Sequence, residues 1–267
     1  MDYNTIQNYC KQLLITSKLA GNAILEIYNS EEIGLESKSD ASPLTKADLA
    51  ANTIICDALR AMSPEIPIIS EENENLSYLT RGGWEYCWIV DPLDGTKEFV
   101  KKNGEFTTNI ALIHGNKVIA GVVYIPVLKE MYFAIKDNGA YQIVDGEAIQ
   151  LEAKTYTITD KNLKVVCSRS HLNDDTKKFI DKLDNPEMIV KGSSLKFLAI
   201  AKGEADLYPR MAPTMEWDTA AAQIILEEAG GSLCNEDSNE PMIYNKEHLL
   251  NPFFIARGKE IYIETTS

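Results

Sequence analysis

Two carboxylates three residues apart close an apolar run. In "CWIVDPLDGTKEF", residues 87–99, Asp91 directly abuts Val90 and Asp94 follows it. Other acids share the same grammar. Glu71 and Glu72 end the short apolar run "IPIIS", and Asp218 follows "MEW" at the start of a helical pattern. Acids at the carboxyl ends of buried strands point into the crevice where α/β sheets place ligands. Two carboxylates ~4 Å apart repel by roughly 4 kcal/mol at an effective dielectric near 20, so four or five together call for protons or cations. No paired His or Cys lies near them. A donor set of hard oxygens suits Mg²⁺, Mn²⁺ or Ca²⁺ rather than zinc. His114, His171 and His248 are isolated in the sequence and read as surface or structural residues.

The residues between the acids add to this chemistry. Pro92 fixes the turn, and Gly95 lets the backbone approach a ligand closely. The Leu93 carbonyl is a further oxygen ligand, and the amides of Gly95 and Thr96 can meet an anion's oxygens. The Thr96 hydroxyl can orient a water. Together they suit metal-assisted hydrolysis of a phosphate ester, with two ions flanking the attacking and leaving oxygens. Each acid also has a structural alternative. Asp218 suits a helix N-cap, and Asp48 suits a capping box with Thr45. Glu71 and Glu72 suit a solvated loop, and "DPLDGT" an exposed proline-glycine turn. Rival hydrolase motifs fail. The spacing is D-x-x-D where a haloacid-dehalogenase-type phosphatase needs D-x-D, and no P-loop, G-x-S-x-G or H-E-x-x-H occurs.

The elements that must position these groups follow from periodicity. Residues 3–29 carry Ile6, Cys10, Leu13, Ser17, Ala20 and Ile24 at helical spacing, and a second helix starts at Thr45. "LESKSD" reads as a short extended piece. "IPIIS" and "CWIV" are short strands. Residues 106–144 form β-rich runs bounded by Gly, Asn, Asp or Pro, which reads as an antiparallel meander. From "LKVVCS" onward strands and helices alternate, which argues for an α/β second half. The polar stretch at 150–162 suggests a division into residues 1–155, with most metal ligands, and 156–267, packed together as one unit.

Composition bounds the function. The chain has 267 residues, 26 basic and 40 acidic, for a net charge of −14. No general basic footprint exists for a nucleic acid polymer. The five cysteines form no CxxC, and their odd count reads as free thiols in a reducing cytosol. The polar N-terminus lacks a secretory h-region, and no apolar run approaches the ~18 residues of a membrane span. The expectation is a cytoplasmic protein without an integral membrane segment. Peripheral membrane association and the oligomeric state are left open.

Three stretches, "SEE" (70–72), "WIVDPLDGTKEF" (88–99) and "EWDTAAAQIILEEAGG" (216–231), resemble the inositol monophosphatase superfamily of lithium-sensitive, Mg²⁺-dependent phosphatases. Within it, "DGTKEFVKKNGEFTTNIALI", "CSRSH", "KGSSLKF" and "YPR" resemble the CysQ-type 3'(2'),5'-bisphosphate nucleotidases. The resemblance covers essentially the whole chain. It implies an α/β protein, layered as the αβαβα sandwich of the inositol monophosphatase and fructose-1,6-bisphosphatase type. It implies hydrolysis of adenosine 3',5'-bisphosphate to AMP and phosphate, a step of sulfur metabolism, often with activity on 3'-phosphoadenosine 5'-phosphosulfate.

The resemblance also assigns roles. Glu71, Asp91, Asp94, Asp218 and the Leu93 carbonyl would hold two or three Mg²⁺ ions. Asp48 and Thr96 would polarise the nucleophilic water, with the Gly95 and Thr96 amides on the scissile phosphate. Ser168, Arg169, Ser170, Gly192, Ser193, Lys196, Arg210 and Asp218 would face the nucleotide. From the residues alone, "VKGSSLKF" is equally an anion seat or a plain N-cap at Ser193, and Arg169 and Arg210 are equally crevice or surface cations. Inositol monophosphatases typically carry Asn where Glu98 stands, and no physical reason for that difference is legible in the sequence. An inositol monophosphatase is the alternative enzyme, with fructose 1,6-bisphosphatase behind it. A non-catalytic Mg²⁺- or Ca²⁺-binding protein is the alternative class.

Overall fold

The computed structural model describes residues 1–30, 34, 36–37, 43–73, 76–168 and 173–261. The chain begins with α1 (Tyr3–Tyr28), β1 (Glu36–Ser37), β2 (Pro43–Leu44), α2 (Lys46–Met62), β3 (Ile68–Ser70) and α3 (Tyr78–Arg81). Next come β4 (Tyr86–Asp94), α4 (Thr96–Val100), β5 (Thr107–His114), β6 (Lys117–Ile125), β7 (Glu130–Ile135), β8 (Ala140–Val144) and β9 (Glu147–Gln150). The remainder holds β10 (Thr155–Tyr156), β11 (Lys164–Cys167), α5 (Asp174–Ile180), β12 (Glu187–Val190), α6 (Leu195–Ala201) and β13 (Leu207–Arg210). It closes with α7 (Glu216–Glu228), β14 (Ser232–Asn235), β15 (Phe254–Arg257) and β16 (Lys259–Glu260).

Two sheets organise these elements. One has seven strands in the order β3-β4-β5-β6-β7-β8-β9, and the other five in the order β12-β11-β13-β15-β14. Helices α1 and α2 pack on the outer face of the first sheet. Helix α7 packs on its other face, against β4 to β8, and also touches α6 and β14. Helix α6 lies on β11, β13 and β15, and α5 contacts β13. The result is the five-layered αβαβα arrangement.

Local sequence explains the layers. The buried stripe of α1 is Cys10, Leu13, Ser17, Ala20 and Ile24, and the Asp2 carboxylate caps the helix by accepting the Thr5 amide at 2.8 Å. Helix α7 is buried all round from Trp217 to Leu226, apart from Asp218, and its run of three alanines lets both sheets approach. Gly121 of β6 lets α7 come close to the sheet. A Cβ there would lie 2.7 Å from the Ala221 carbonyl oxygen of α7.

The structure corrects one expectation. The "DPLD" stretch does not turn away after the strand. Strand β4 runs through it to Asp94, paired with β5, and slips register between Asp91↔Asn109 and Asp94↔Thr107. Pro92 donates no ladder hydrogen bond and falls inside that irregularity, which is where a strand tolerates proline. Among the described residues no helix is long and apolar enough to cross a membrane.

Candidate active site

The slip in β4 aims two acids at one point. Asp91 is only 1% exposed, and its Oδ1 accepts the Leu93 amide at 3.1 Å. One carboxylate oxygen from each of Asp91, Asp94 and Asp218 lies within 4.8 Å of the others. Glu71 stands at the end of β3, next to β4, with its amide bonded to the Val90 carbonyl at 3.2 Å, and its carboxyl hydrogen-bonds Asp91. Asp218 arrives from the first turn of α7. Three elements distant in sequence thus deliver the acids to one place.

The electrostatics register the crowding. Burial first, then the charges of Glu71, Asp94 and Asp218, push the Asp91 carboxyl well above its ordinary value. Burial and Asp94 push Asp218 up to about 8. Both shifts favour the protonated carboxyls in the bare cluster, and a bound divalent cation would displace those protons. All the donors are oxygens, and the described residues bring no His or Cys into the cluster. The set fits a hard divalent cation.

Asp48 and Asp218, the two acids that suit helix caps, make those caps and also reach towards the cavity. The Asp48 Oδ2 accepts the Thr45 amide at 2.7 Å and its hydroxyl at 2.5 Å, closing a capping box on α2. Its Oδ1 accepts the Thr96 hydroxyl at 3.2 Å. The Asp218 Oδ2 accepts the Met215 amide at 2.8 Å while its carboxylate joins the cluster. Gly95 sits between β4 and α4 at φ +96°, a conformation glycine adopts without strain. A Cβ there would meet the Glu105 carbonyl at 3.0 Å.

A cavity of about 200 Å³ opens over the acids. Glu71, Asp94, Gly95, Thr96 and Asp218 line one side, and Ser168, Gly192, Ser193, Lys196 and Arg210 line the other. Asp91 and Leu93 lie beneath, both buried, and Asp48 reaches the cavity through Thr96. Arg169 and Ser170 lie outside the described residues, as do Glu74 and His171. Lys196 is buried and donates to the Ser193 carbonyl at 2.6 Å. Burial lowers its ammonium to about 8, against the pull of Asp94 and Glu98. The Arg210 Nη2 donates to the Pro213 carbonyl at 3.2 Å, while its buried Nε has no partner among the described residues. The cavity therefore holds a potential cation seat on one wall and anion donors on the other.

Sequence reasoning misses the supports of this site. In the sequence Ser194 is only part of a motif, yet both Ser193 and Ser194 donate their hydroxyls to the Asp94 Oδ2, at 2.5 and 3.1 Å. Thr107 and Asn109 of β5 hold those serines in turn, Thr107 Oγ1 lying 2.7 Å from Ser193 Oγ and Asn109 Nδ2 donating to Ser194 Oγ at 3.0 Å. The available signal is a run of three polar residues, Thr107 to Asn109, at the start of a strand that is apolar from Ile110 to Ile113.

A family model described as the inositol monophosphatase family matches residues 9–262. The chain belongs to the inositol monophosphatase family. Among characterised relatives, the 3'(2'),5'-bisphosphate nucleotidase CysQ of Escherichia coli K12 is 41% identical over 245 residues, covering 91% of this chain and 97% of that protein. The protein of the same name from Haemophilus influenzae is 31% identical and covers 96% of this chain and 95% of its own. The crystal structure of CysQ from Bacteroides thetaiotaomicron, described as a bacterial member of the family, superposes with a TM-score of 0.80 at 40% identity, over 95% of this chain and 98% of that one.

Proposed function

We propose that the chain is a Mg²⁺-dependent 3'(2'),5'-bisphosphate nucleotidase. It hydrolyses adenosine 3',5'-bisphosphate to AMP and phosphate and also accepts 3'-phosphoadenosine 5'-phosphosulfate. One observation carries this reading. A floor of crowded acids faces Lys196 and Arg210 across a single cavity, so one site offers seats for divalent cations and for a polyanion. The relatives named as nucleotidases, similar over nearly the whole chain, support the substrate class.

Glu71, Asp91, Asp94, Asp218 and the Leu93 carbonyl would hold two or three ions. Bound Mg²⁺ supplies charge neutralisation and Lewis acidity to the phosphoryl oxygens. The protein's own groups carry the remaining steps. The Gly95 and Thr96 amides receive oxygens of the scissile phosphate. A water beside Thr96 attacks phosphorus, giving its proton to Thr96 Oγ1 as that hydroxyl passes its own to Asp48 Oδ1. The new P–O bond forms, the ester P–O bond breaks, and solvent protonates the departing ribose oxygen. Ser168, Gly192, Ser193, Lys196 and Arg210 hold the nucleotide's anionic groups, and the resemblance adds Arg169 and Ser170. The unpaired cysteines support a reducing, cytoplasmic location.

The test is phosphate release with Mg²⁺ from adenosine 3',5'-bisphosphate against inositol 1-phosphate. The nucleotide is the expected faster substrate. Faster release from inositol 1-phosphate overturns the reading.

A further inference from the structure

Glu98 has no place in the chemistry above, yet it is 9% exposed and lines the same cavity. Among the described residues nothing hydrogen-bonds or ion-pairs with its carboxylate. The neighbouring Glu105 takes the available donor, since its Oε2 accepts the Gly192 amide at 2.9 Å. Glu98 is not one of the three acids that could jointly hold a cation. Lys196 is near enough to feel its charge but makes no ion pair with it. The Glu98 carboxylate lines the cavity rather than being sealed in the core, and in a pocket for phosphates an unpaired carboxylate repels the ligand. A neutral O–H or N–H on the ligand offsets that repulsion.

The packing says where that donor must be. A Cβ on Gly192 would lie 2.9 Å from the Glu98 Cγ, so Glu98 lies against a bare backbone. The next residue, Ser193, approaches Gly95 from the other side, its Cβ 3.3 Å from where a Gly95 Cβ would be. Glu98 follows Thr96 by two residues on α4. Glu98 therefore shares the cavity lining with Gly95 and Thr96, whose amides form the phosphate seat.

Building on the nucleotidase reading, we propose that Glu98 is a specificity-determining residue that accepts a hydrogen bond from the hydroxyl on the ribose carbon next to the phosphorylated one. For a 3'-phosphate this is the 2'-hydroxyl. A charged acceptor for a buried hydroxyl discriminates against an analogue lacking it by roughly 10- to 100-fold. The assignment also accounts for an acid in an anion pocket, because the carboxylate favours a free hydroxyl over a second phosphate at that carbon.

The experiment compares kcat/KM for adenosine 3',5'-bisphosphate and its 2'-deoxy analogue, with Mg²⁺, in the wild type, Glu98→Gln and Glu98→Ala. The wild type is expected to prefer the ribonucleotide by roughly 10- to 100-fold. Glu98→Ala brings the ratio to within about threefold of unity, and Glu98→Gln, a neutral acceptor of the same shape, leaves an intermediate ratio. An unchanged ratio in Glu98→Ala, with both substrates slowed alike, overturns the proposal and leaves Glu98 acting only on Lys196. A wild type that hydrolyses both equally well also overturns it. A wild type that hydrolyses neither overturns the nucleotidase reading and this proposal together.

Discussion

Replacing Asp218 by Asn should stabilise the metal-free protein while destroying its activity. Asp218 caps α7 through its Oδ2, an acceptor that an amide oxygen reproduces, so the helix keeps its N-terminal bond. What the substitution removes is a charge. In the fold this carboxyl is pushed from 3.8 up to about 8, by burial first and then by Asp94. A raised carboxyl means that the native state binds the proton more tightly than the unfolded chain. Metal-free stability therefore falls as pH rises from about 4 to about 8, and the whole penalty is present above that window. Each tenfold difference in proton affinity between the two states corresponds to ~1.4 kcal/mol, so the penalty is about 4 kcal/mol at pH 7 and under about 2 kcal/mol at pH 5. At roughly 2 °C per kcal/mol for a chain of this size, Asp218→Asn should melt several degrees above the parent in chelator at pH 7. That gap should shrink at pH 5. Saturating Mg²⁺ should reverse the order, since the parent gains binding energy that the variant lacks. Its kcat/KM should fall by more than about 100-fold, beyond the loss typical of a residue merely supporting a ligand. Thermal unfolding with and without chelator across pH 5 to 8 is the assay. A variant that melts below the parent in chelator at pH 7, or a gap indifferent to pH, would refute the account of crowded acids.

Two other perturbations test the opposite wall and the base. Burial lowers the Lys196 ammonium to about 8, so kcat/KM of the parent should fall above that pH. In Lys196→Met that limb should disappear and KM should rise roughly 10- to 100-fold; persistence of the limb assigns it to another group. Asp48→Asn should lower kcat by roughly 100- to 10,000-fold with little change in KM, because Thr96 Oγ1 then faces a poor proton acceptor. The same variant should lose no more than about 1–2 kcal/mol of stability in a melting experiment, since its amide oxygen can still cap α2.

The site itself is largely legible in one dimension. The abrupt change from apolar residues to acids at Val90–Asp91, after "IPIIS" and after "MEW" marks strand ends and a helix start, and the residue types state the chemistry. Mutual repulsion then supplies a physical reason for a cation before any coordinate is known. Local propensity also places α1, α2 and the meander, because helical and strand periodicities are properties of short windows.

What needs the folded chain is whatever depends on pairs of residues far apart. Periodicity reads "DPLD" as a turn, and only pairing with β5 shows that the strand continues through a register slip. The alternatives of cap and catalytic group for Asp48, or cap and ligand for Asp218, cannot be separated in the sequence. A carboxylate has two oxygens, and the fold uses one for the helix amide and turns the carboxylate to the site as well. The second wall of the cavity comes from Gly192, Ser193, Lys196 and Arg210, about a hundred residues from "DPLDGT", and the two meet because α7 is clasped between the sheets. Residue types and spacing determined which groups this protein offers to a phosphate ester. Tertiary structure decided which donors those groups lack, and that the Glu98 carboxylate has no partner among the described residues is visible only there, because a missing partner is a fact about neighbours in space.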